Sequence, residues 1–323
     1  MEENKKIDLV YLWVDGNDPK WLAIKQKALL DAGKSVHKSA LGGRFDDNDE
    51  LLFSLRSVEK FMPWINHIYI VTKDQTPKWL NINNPKVSIV SQTSIIPKKY
   101  PDFFNSAAIE MFLSKIPGLS EKFIYANDDM ILGAPVSPDF FFDIKGNPIL
   151  ILKESRKRKS HSLIGTGVQN ARNIVLDATR KKYNMTLSHA FDPYTKTQFN
   201  SAIKKFWSEL EESTLTPFRE PRNIQRLFMT LYNNALGRNT IVLPWRFGKK
   251  RLVLHANEPW IKTFIRKIAE FILPVKYDFY DVKNIKKLRK IKPKMFCVND
   301  GEVFAKNIKE IKKLFPKKSK FEK

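Results

Sequence analysis

The sequence of 323 residues contains one cysteine, and it contains no apolar run that approaches the roughly 20 residues needed to cross a bilayer. The single cysteine, Cys297, excludes an internal disulfide and a cysteine-based metal cluster, which suits a reducing cytoplasm. Because Cys297 lies between Phe296 and Val298, we expect a buried, inert thiol. The residues before Ile7 contain no apolar h-region, so no signal peptide is expected and the predicted location is the cytoplasm.

Several familiar catalytic motifs are also missing. The sequence contains no GxGxxG, no Walker loop, no HExxH and no GxSxG. Dinucleotide-dependent oxidoreduction, P-loop hydrolysis and serine-hydrolase chemistry therefore lack support from the sequence.

Negative charge is scarce relative to positive charge, and the excess is uneven. The chain has 57 Lys and Arg against 34 Asp and Glu, a net charge of +23, and residues 244–323 hold 23 basic against 8 acidic side chains. This asymmetry predicts a negatively charged partner, for which nucleic acid, anionic lipid and a phosphate-bearing polymer all qualify. No RNP-like motif or zinc finger is present, and aromatic residues are not interleaved with the basic runs, so nucleic acid is not the expected partner.

The basic segment 260–272 has an apolar stripe at helical spacing beside lysine and arginine. A helix of this kind can lie on an anionic membrane surface, which would place the protein peripherally at the inner face of the cytoplasmic membrane. A core helix with solvated charges explains the same pattern, so both interpretations stay open.

Predicted strands alternate with predicted helices along much of the chain. Short runs rich in Val, Ile and aromatic residues predict strands at residues 7–14, 67–72, 87–90, 123–126 and 251–254. Apolar positions at helical spacing predict helices at residues 20–32, 51–61, 197–236 and 303–315. We expect residues 153–182 to form an exposed loop or a lid. We also expect the lysine-rich C-terminal end to be frayed. The order predicts an α/β fold with a Rossmann-like, mainly parallel sheet, which binds ligands beyond the carboxyl ends of its strands.

Acidic residues follow the predicted strands. Asn127, Asp128 and Asp129 come directly after residues 123–126, Asp15 follows the first strand, and Asp300 follows a late apolar run. Adjacent carboxylates are costly to place together unless a cation or hydrogen-bond donors neutralise them, and Mg²⁺ accepts one or two carboxylates together with phosphate oxygens. The pattern favours a divalent cation that bridges a diphosphate. Asp-Gly and Asn-Asp sequences also form ordinary turns, so a purely structural turn stays open.

One histidine and three arginines are further candidates for chemistry. His189 could act as a general base or donate to a phosphate, although a lone histidine is more often structural. Arg44, Arg56 and Arg219 could each meet phosphate oxygens in a bidentate way, although an arbitrary arginine is usually only solvated.

Four blocks of the sequence together resemble a known family. They are residues 7–19, residues 44–141, the run 188–192 with Phe218-Arg219, and residues 295–300. On these blocks the chain resembles the Stealth proteins, which are bacterial capsule and cell-wall polysaccharide phosphotransferases related to the GlcNAc-1-phosphotransferase of animals. The sequence departs from the family pattern at Gly301, where members of the family often have a polar residue.

The resemblance implies a nucleotide-sugar-binding α/β core and dependence on Mg²⁺ or Mn²⁺. It implies catalytic roles for Asp128, Asp129, His189 and Arg219. It also implies metal contacts for Asp128, Asp129 and Asp300. The positions expected to contact the nucleotide-sugar are Trp13, Asp15, Gly16, Arg44, Asn48, Asp49 and Arg56.

The implied reaction transfers a hexose-1-phosphate from a UDP-hexose to a hydroxyl of an oligosaccharide or lipid-linked glycan and releases UMP. A metal-dependent glycosyltransferase that releases UDP is the alternative. The expected organisation is a nucleotide-sugar-binding core at residues 1–150 and a basic C-terminal region at residues 246–323 that completes the site. Between them, residues 151–245 are expected to form a basic loop and a helical insertion that carries His189 and Arg219.

Overall fold

The structure is a computed structural model of the chain. It describes residues 6–33, 45, 47–154, 162–188, 190–244, 251–254, 279–281, 293–298 and 301–323. Arg44, His189 and Asp300 lie outside the described residues, as does the basic segment 260–272.

Strands and helices alternate through most of the described chain. The strands are β1 (Ile7–Leu12), β2 (Ile68–Thr72), β3 (Val87–Ser91), β4 (Lys122–Asn127), β5 (Met130–Leu132), β6 (Ile149–Glu154), β7 (Met185–Leu187), β8 (Asp192–Thr195), β9 (Thr240–Pro244), β10 (Arg251–Leu254), β11 (Phe279–Asp281) and β12 (Met295–Cys297). The helices are α1 (Pro19–Ala32), α2 (Glu50–Phe61), α3 (Gln92–Ile95), α4 (Ser106–Glu110), α5 (Leu163–Thr179), α6 (Lys196–Lys205), α7 (Trp207–Ser213), α8 (Leu227–Ala235) and α9 (Gly301–Leu314). Within the part of the chain that the structure describes, no helix has the length and apolar character required to cross a membrane.

The central sheet joins β3, β2, β1, β4 and β8 in that spatial order. The first four strands are parallel to their neighbours, and β8 is antiparallel to β4. A parallel order of 3-2-1-4 is found in the Rossmann arrangement. The predicted α/β fold with a Rossmann-like, mainly parallel sheet is therefore confirmed. Because β1 and β4 lie side by side and run in the same direction, the residues that follow them meet at one edge of the sheet.

Apolar side chains on both faces of the central sheet explain why helices cover it on both sides. Leu9 and Tyr11 of β1 belong to one hydrophobic cluster with Leu55 of α2. Val10, between them, belongs to a second cluster with residues of α5, α6 and α8, such as Phe199. Strands that are buried on both faces have nearly continuous apolar sequences, which is why β1 is recognisable from the sequence.

Two smaller sheets connect the other strands to this core. One has the order β10-β9-β6-β7 and the other the order β11-β12-β5. In the second sheet β12 is antiparallel to β5, so that Cys297 lies opposite Met130. The C-terminal block of the sequence is thereby placed beside the turn that joins β4 to β5. The stretches 1–150, 151–245 and 246–323 share sheets, and the expected division of the chain into these parts stays a prediction.

The expected loop or lid at residues 153–182 is wrong, because most of this stretch forms α5. The hydroxyl of Ser162 caps the helix by accepting a hydrogen bond from the backbone N–H of Gly165 at 3.1 Å. Ala171 and Val175 are fully buried in the main hydrophobic cluster. The basic residues that flank this stretch on both sides hide the helical spacing of its apolar positions.

The expected frayed C-terminal end is also wrong. Phe321 is 3% exposed, and the backbone N–H of Lys323 donates to the carbonyl of Trp79 at 2.9 Å. Glu322 forms a β-bridge with Leu80. The lysines of this segment are exposed, whereas Phe321 is buried in the core. In the sequence the run of lysines obscures this difference.

Candidate active site

The turn between β4 and β5 places two adjacent carboxylates at the carboxyl edge of the central sheet. Asn127 ends β4, Met130 begins β5, and Asp128 and Asp129 form the turn between them. The Asp128 carboxylate accepts a hydrogen bond from the backbone N–H of Asp129 at 3.0 Å. The thiol of Cys297 donates to the Asp129 carboxylate at 3.2 Å. Cys297 is buried, as predicted, and it contacts the candidate site directly, which its apolar neighbours in the sequence do not reveal.

Helix α2 holds this turn from one side. The Ser54 hydroxyl donates to the Met130 carbonyl at 2.5 Å and lies 2.7 Å from the Tyr11 hydroxyl. The Ser57 hydroxyl accepts from the backbone N–H of Leu132 at 2.9 Å. Both serines are fully buried, so their small side chains let α2 approach β5 closely while they satisfy its backbone.

The start of α2 adds the carboxylates of Asp47 and Glu50 to the two aspartates of the turn. Burial and then the Glu50 carboxylate raise the pKa of Asp47 to about 6. Burial also raises the pKa of Glu50, with a smaller contribution from Asp129. Burial, then Asp129, Glu50 and Asp47 raise the pKa of Asp128 well above its ordinary value. We call Asp47, Glu50, Asp128 and Asp129 the acidic cluster.

Like charges collected in a partly buried place favour the uptake of protons or of a cation. Mg²⁺ prefers oxygen ligands and uses one or two carboxylates together with water and phosphate oxygens, so Asp128 and Asp129 are a fitting donor pair. Among the described residues, no three His, Cys, Asp or Glu side chains form a ready metal site. A cation held here would therefore take its other ligands from phosphate, from water or from residues such as Asp300. Val298, two residues before Asp300, is described, and its N–H is 3.4 Å from the Asp129 carbonyl oxygen.

The loop after β1 is fastened beside the acidic cluster. The Gln75 side chain accepts from the Asp15 N–H at 3.2 Å and donates to the Asp15 carbonyl at 2.8 Å. The Gly16 N–H donates to the Phe45 carbonyl at 2.7 Å. A Cβ atom at Gly16 would lie 2.4 Å from that same oxygen, so this close approach requires glycine.

Three other residues expected to contact the nucleotide-sugar belong to the same region. The Trp13 indole lies close enough to the Asp47 carboxylate to lower its pKa. The Asn48 side chain donates to Glu50 at 3.1 Å. Asp49 precedes α2 in the left-handed conformation, with φ of 67°, and its N–H donates to Asp47 at 3.2 Å. These contacts shape the acidic cluster, and a contact with a nucleotide-sugar stays a prediction.

Arg219 lies in the irregular segment between α7 and α8, inside a stretch whose pattern predicts helix. Its guanidinium donates to the Ser106 hydroxyl at 2.6 Å. Burial lowers the pKa of Arg219, and the negative charge of Glu110 opposes this effect. The Tyr125 hydroxyl is 3.1 Å from the Glu110 carboxylate and 3.0 Å from the Asn127 side-chain oxygen, directly before the aspartate turn. Arg219 therefore lies within the electrostatic influence of Glu110, a carboxylate that bonds to Tyr125 of the strand that leads into the aspartate turn.

Aromatic packing fixes the position of Arg219. The preceding residue, Phe218, stacks on Phe104 with ring centroids 5.3 Å apart and planes at 12°. Phe104 also packs edge-on against Trp21 of α1 at 5.4 Å, and its N–H donates to the Pro217 carbonyl at 2.7 Å. These contacts therefore hold the irregular segment in a defined position, although it is neither helix nor strand.

A buried charge network that sequence analysis missed lies behind these residues. Arg226 is 9% exposed, and its guanidinium is 2.5 Å from the Asp192 carboxylate and 3.5 Å from that of Glu110. The guanidinium also lies over the Tyr125 ring, 4.8 Å from its centroid. Burial raises the pKa of Asp192 to about 6, although Arg226 acts to lower it. The available signal was an arginine placed directly before the apolar run 227–229 of a buried helix.

His189 lies outside the described residues, but both of its neighbours along the chain are described and buried. Ser188 and Ala190 are each 3% exposed. Three residues later, Asp192 pairs with Tyr125 where β8 joins β4 in antiparallel fashion. The chain that leads into β8 therefore comes from the carboxyl end of β4, which is the end that carries the aspartate turn.

Arg56 does not belong to the candidate site. Its Nε and Nη2 atoms donate to the Glu322 carboxylate at 2.8 and 2.7 Å, and its Nη1 atom donates to the Phe315 carbonyl at 2.8 Å. These bonds fasten α2 to the C-terminal end, so the expectation that Arg56 contacts a diphosphate is wrong. Arg44, the other arginine of this block, lies outside the described residues.

Two regions of the chain match models of a known protein family. The family model described as Stealth protein CR1, conserved region 1, matches residues 5–31, and Stealth protein CR2, conserved region 2, matches residues 44–150. The exopolysaccharide phosphotransferase cps2G of Lactiplantibacillus plantarum is 31% identical over 348 aligned positions, which cover 98% of this chain and 96% of that protein. The chain belongs to the Stealth family.

The chain spans a little under two thirds of the length of several curated relatives that it matches. The capsular polysaccharide phosphotransferase cps1A of Actinobacillus pleuropneumoniae is 32% identical over 251 residues, which are 75% of this chain and 65% of that protein. Among solved structures, the glycosyltransferase GlyE of Streptococcus pneumoniae TIGR4 has a TM-score of 0.39 and 12% identity, and the match covers 90% of this chain and 54% of that one. This structural likeness is too weak to bear on function.

The two matched Stealth regions contain the whole acidic cluster and the loop after β1. Arg219, Arg226 and Asp192 lie outside both matched regions. The buried network therefore joins residues of the second Stealth region, Glu110 and Tyr125, to a later part of the chain.

Proposed function

We propose that this protein transfers a hexose-1-phosphate from a UDP-hexose to a hydroxyl group of a glycan, with formation of a phosphodiester and release of UMP. The observation that carries the proposal is the acidic cluster at the carboxyl edge of a Rossmann-like sheet, in a chain whose relatives are named polysaccharide phosphotransferases. Ligands of open α/β sheets bind at this edge. Carboxylates with raised pKa values attract a divalent cation, and a diphosphate supplies the oxygen ligands that such a cation still needs.

The residues have distinct parts in this proposal. Asp128 and Asp129 would hold Mg²⁺ or Mn²⁺, with Asp300 as a further ligand. The cation neutralises charge on the diphosphate oxygens when it is bound. Arg219 would donate to an oxygen of the transferred phosphoryl group, because it is a partly buried cation held by Ser106 at the start of α4. The loop at Asp15, fastened by Gln75, would support the nucleotide.

The chemical step is an exchange of bonds at the phosphorus atom that carries the hexose. The acceptor oxygen forms a new bond to this phosphorus while the bond from phosphorus to the UMP oxygen breaks, so UMP departs with the bonding electrons. The acceptor proton passes to a base on the protein. His189 and a carboxylate of the Asp128/Asp129 pair are the candidates for this base.

Product analysis tests the proposal. The purified chain is incubated with UDP-hexoses, MgCl₂ and a capsule-like oligosaccharide, and the released nucleotide is measured. We expect UMP in an amount equal to the phosphodiester formed, and only when an acceptor is present. Release of UDP in place of UMP would refute phosphoryl transfer and establish glycosyl transfer.

Variants connect the reaction to the residues. We expect Asp129→Asn and His189→Ala each to lower the rate of UMP release by a factor of about 10² to 10⁴, or about 3–5 kcal/mol in the barrier. Asp31→Asn, which removes an exposed carboxylate at the far end of α1, is the matched control and should leave the rate unchanged. Near-normal turnover in the Asp129→Asn variant would contradict the proposed site.

We propose an oligosaccharide or a lipid-linked glycan as the acceptor, reached from the cytoplasm. Peripheral contact of the segment 260–272 with the membrane stays a prediction. Flotation with phosphatidylglycerol vesicles and with neutral vesicles tests it, since the basic segment should require the anionic lipid. Equal recovery with both kinds of vesicle would contradict it.

A further inference from the structure

A cavity that shares no lining residue with the acidic cluster opens beside the segment that follows α4. It has a volume of about 840 Å³ and is bounded by α3, by the segment that follows α4, by α6 and by α7. Ligand pockets in proteins usually enclose about 300–1,000 Å³, so the cavity is large enough for several sugar units. No member of the acidic cluster lines it.

One wall of the cavity is aromatic and rigid. Phe112 and Trp207 both line it, and they pack edge to face with ring centroids 6.2 Å apart and planes at 81°. Phe112 is 3% exposed, whereas Trp207 is only partly buried and offers indole surface to the cavity. Across the cavity the Ser114 hydroxyl donates to the Asn200 side chain at 2.6 Å, which ties α6 to the turn after α4. Aromatic surface beside fixed hydrogen-bonding groups suits a ligand that has both apolar faces and hydroxyls.

The charge of the cavity lining is positive. Lys98, Lys115 and Lys204 line it and are exposed, and no Asp or Glu of the described residues belongs to the lining. In the described part of the chain, none of the three lysines forms an ion pair with a carboxylate. An ammonium group binds phosphate as a point charge. The chemistry of the lining therefore fits an occupant that has sugar-like faces and carries negative charge.

Helix α4 connects this cavity to the candidate active site. Its first residue, Ser106, accepts the hydrogen bond from Arg219, and Met111, the residue after its last, lines the cavity. At 1.5 Å per residue, the two positions are about 8 Å apart along the helix axis. The lining of the cavity thus begins about 8 Å along α4 from the residue that accepts the hydrogen bond of Arg219.

We propose that the cavity, which we call the lysine groove, binds the part of the acceptor that has already been synthesised, namely an anionic oligosaccharide that carries phosphodiester groups. The inference rests on the proposed function, because phosphodiester-linked sugars are its product. Sugar rings pack against Trp207, and the phosphodiester groups lie near Lys98, Lys115 and Lys204. Occupation of the groove would keep the growing end of the polymer close to the active site between successive transfers.

Binding without any donor tests the lysine groove. The probe is a fluorescently end-labelled oligomer of six hexose-1-phosphate repeats, and its affinity for the full chain is measured by anisotropy. We expect the Lys98→Gln, Lys115→Gln and Lys204→Gln triple variant to bind at least tenfold more weakly. The matched control replaces three exposed lysines elsewhere, Lys145, Lys182 and Lys317, by Gln and should change the affinity less than twofold. Trp207→Ala, with its fold checked by circular dichroism, should also weaken binding.

Three outcomes overturn the inference. One is equal affinity of both triple variants for the probe, and another is equal affinity of the unmodified protein for the neutral oligomer of the same sugar. The third is lysine-dependent binding to phosphatidylglycerol vesicles with none to the probe, which would identify a lipid site. Transfer to a single-sugar acceptor should be normal in the groove variant. If the inference about the lysine groove is wrong, the binding assay shows it. If the proposed reaction is wrong, the unmodified protein releases no UMP.

Discussion

Replacing Arg226 by methionine removes a guanidinium that lies between two buried carboxylates. Its nitrogens are 2.5 Å from Asp192 and 3.5 Å from Glu110, whose side chains are 0% and 5% exposed. Methionine has a similar length and can fill the same apolar surroundings, so the main loss is one of charge compensation. Breaking a buried ion pair from one side costs about 3–5 kcal/mol, because the remaining charge stays buried without its partner. We therefore expect the free energy of unfolding to fall by about 3–5 kcal/mol in Arg226→Met.

The pH dependence of this loss gives a second readout. Burial raises the pKa of Asp192 to about 6 in the folded protein, against an ordinary value near 4 in the unfolded chain. The folded state binds this proton more tightly, so the contribution of Asp192 to stability falls as the pH rises from about 4 to about 6. Without Arg226 the pKa of Asp192 rises further, because the charge that lowers it is gone. The stability lost in Arg226→Met should therefore be larger at pH 8 than at pH 5.

Urea unfolding followed by tryptophan fluorescence measures both effects. The control is Arg222→Met, which removes an arginine of the same segment whose ion pair with Glu220 is exposed, and it should cost less than about 1 kcal/mol. In the Arg226→Met background, adding Asp192→Asn should restore part of the stability, since it removes one of the two uncompensated charges. If Arg226→Met loses no more stability than Arg222→Met, or loses as much at pH 5 as at pH 8, the reasoning about the buried network is wrong.

Three other substitutions test separate parts of the structure. Asp128→Asn should raise the thermal midpoint of the metal-free protein while it abolishes UMP release, because a neutral amide relieves the repulsion that raises the pKa of Asp128; a lower midpoint in a calorimetric scan would contradict this. Gly16→Ala places a Cβ atom 2.4 Å from the Phe45 carbonyl oxygen, so it should raise the KM for the donor severalfold, and an unchanged KM would show that the loop tolerates the displacement. Glu322→Gln should lower the free energy of unfolding by about 1–3 kcal/mol because its bidentate pair with Arg56 is largely buried, which urea titration checks; no loss would mean that the C-terminal end contributes nothing to stability.

The sequence by itself determined the local features of the protein. Runs such as Leu9-Val10-Tyr11 predict strands buried on both faces, and residues that follow parallel strands of one sheet share its carboxyl edge. The pattern of residues alone therefore places the Asn127-Asp128-Asp129 turn and the Asp15-Gly16 loop in one region. These features depend on side-chain periodicity and on residues that are adjacent in the chain.

Only the tertiary structure decided which distant charges meet. Asp47 and Glu50 join the aspartate turn because Ser54 of α2 bonds to β5, and Arg56, on the same helix, is taken out of the site by a carboxylate 266 positions away. The arginine at position 226 pairs with two carboxylates in the same way, although its sequence context is that of an ordinary helix start. Such pairings depend on how elements pack in three dimensions, and the energy of an ion pair depends on burial, which no local pattern of residues encodes.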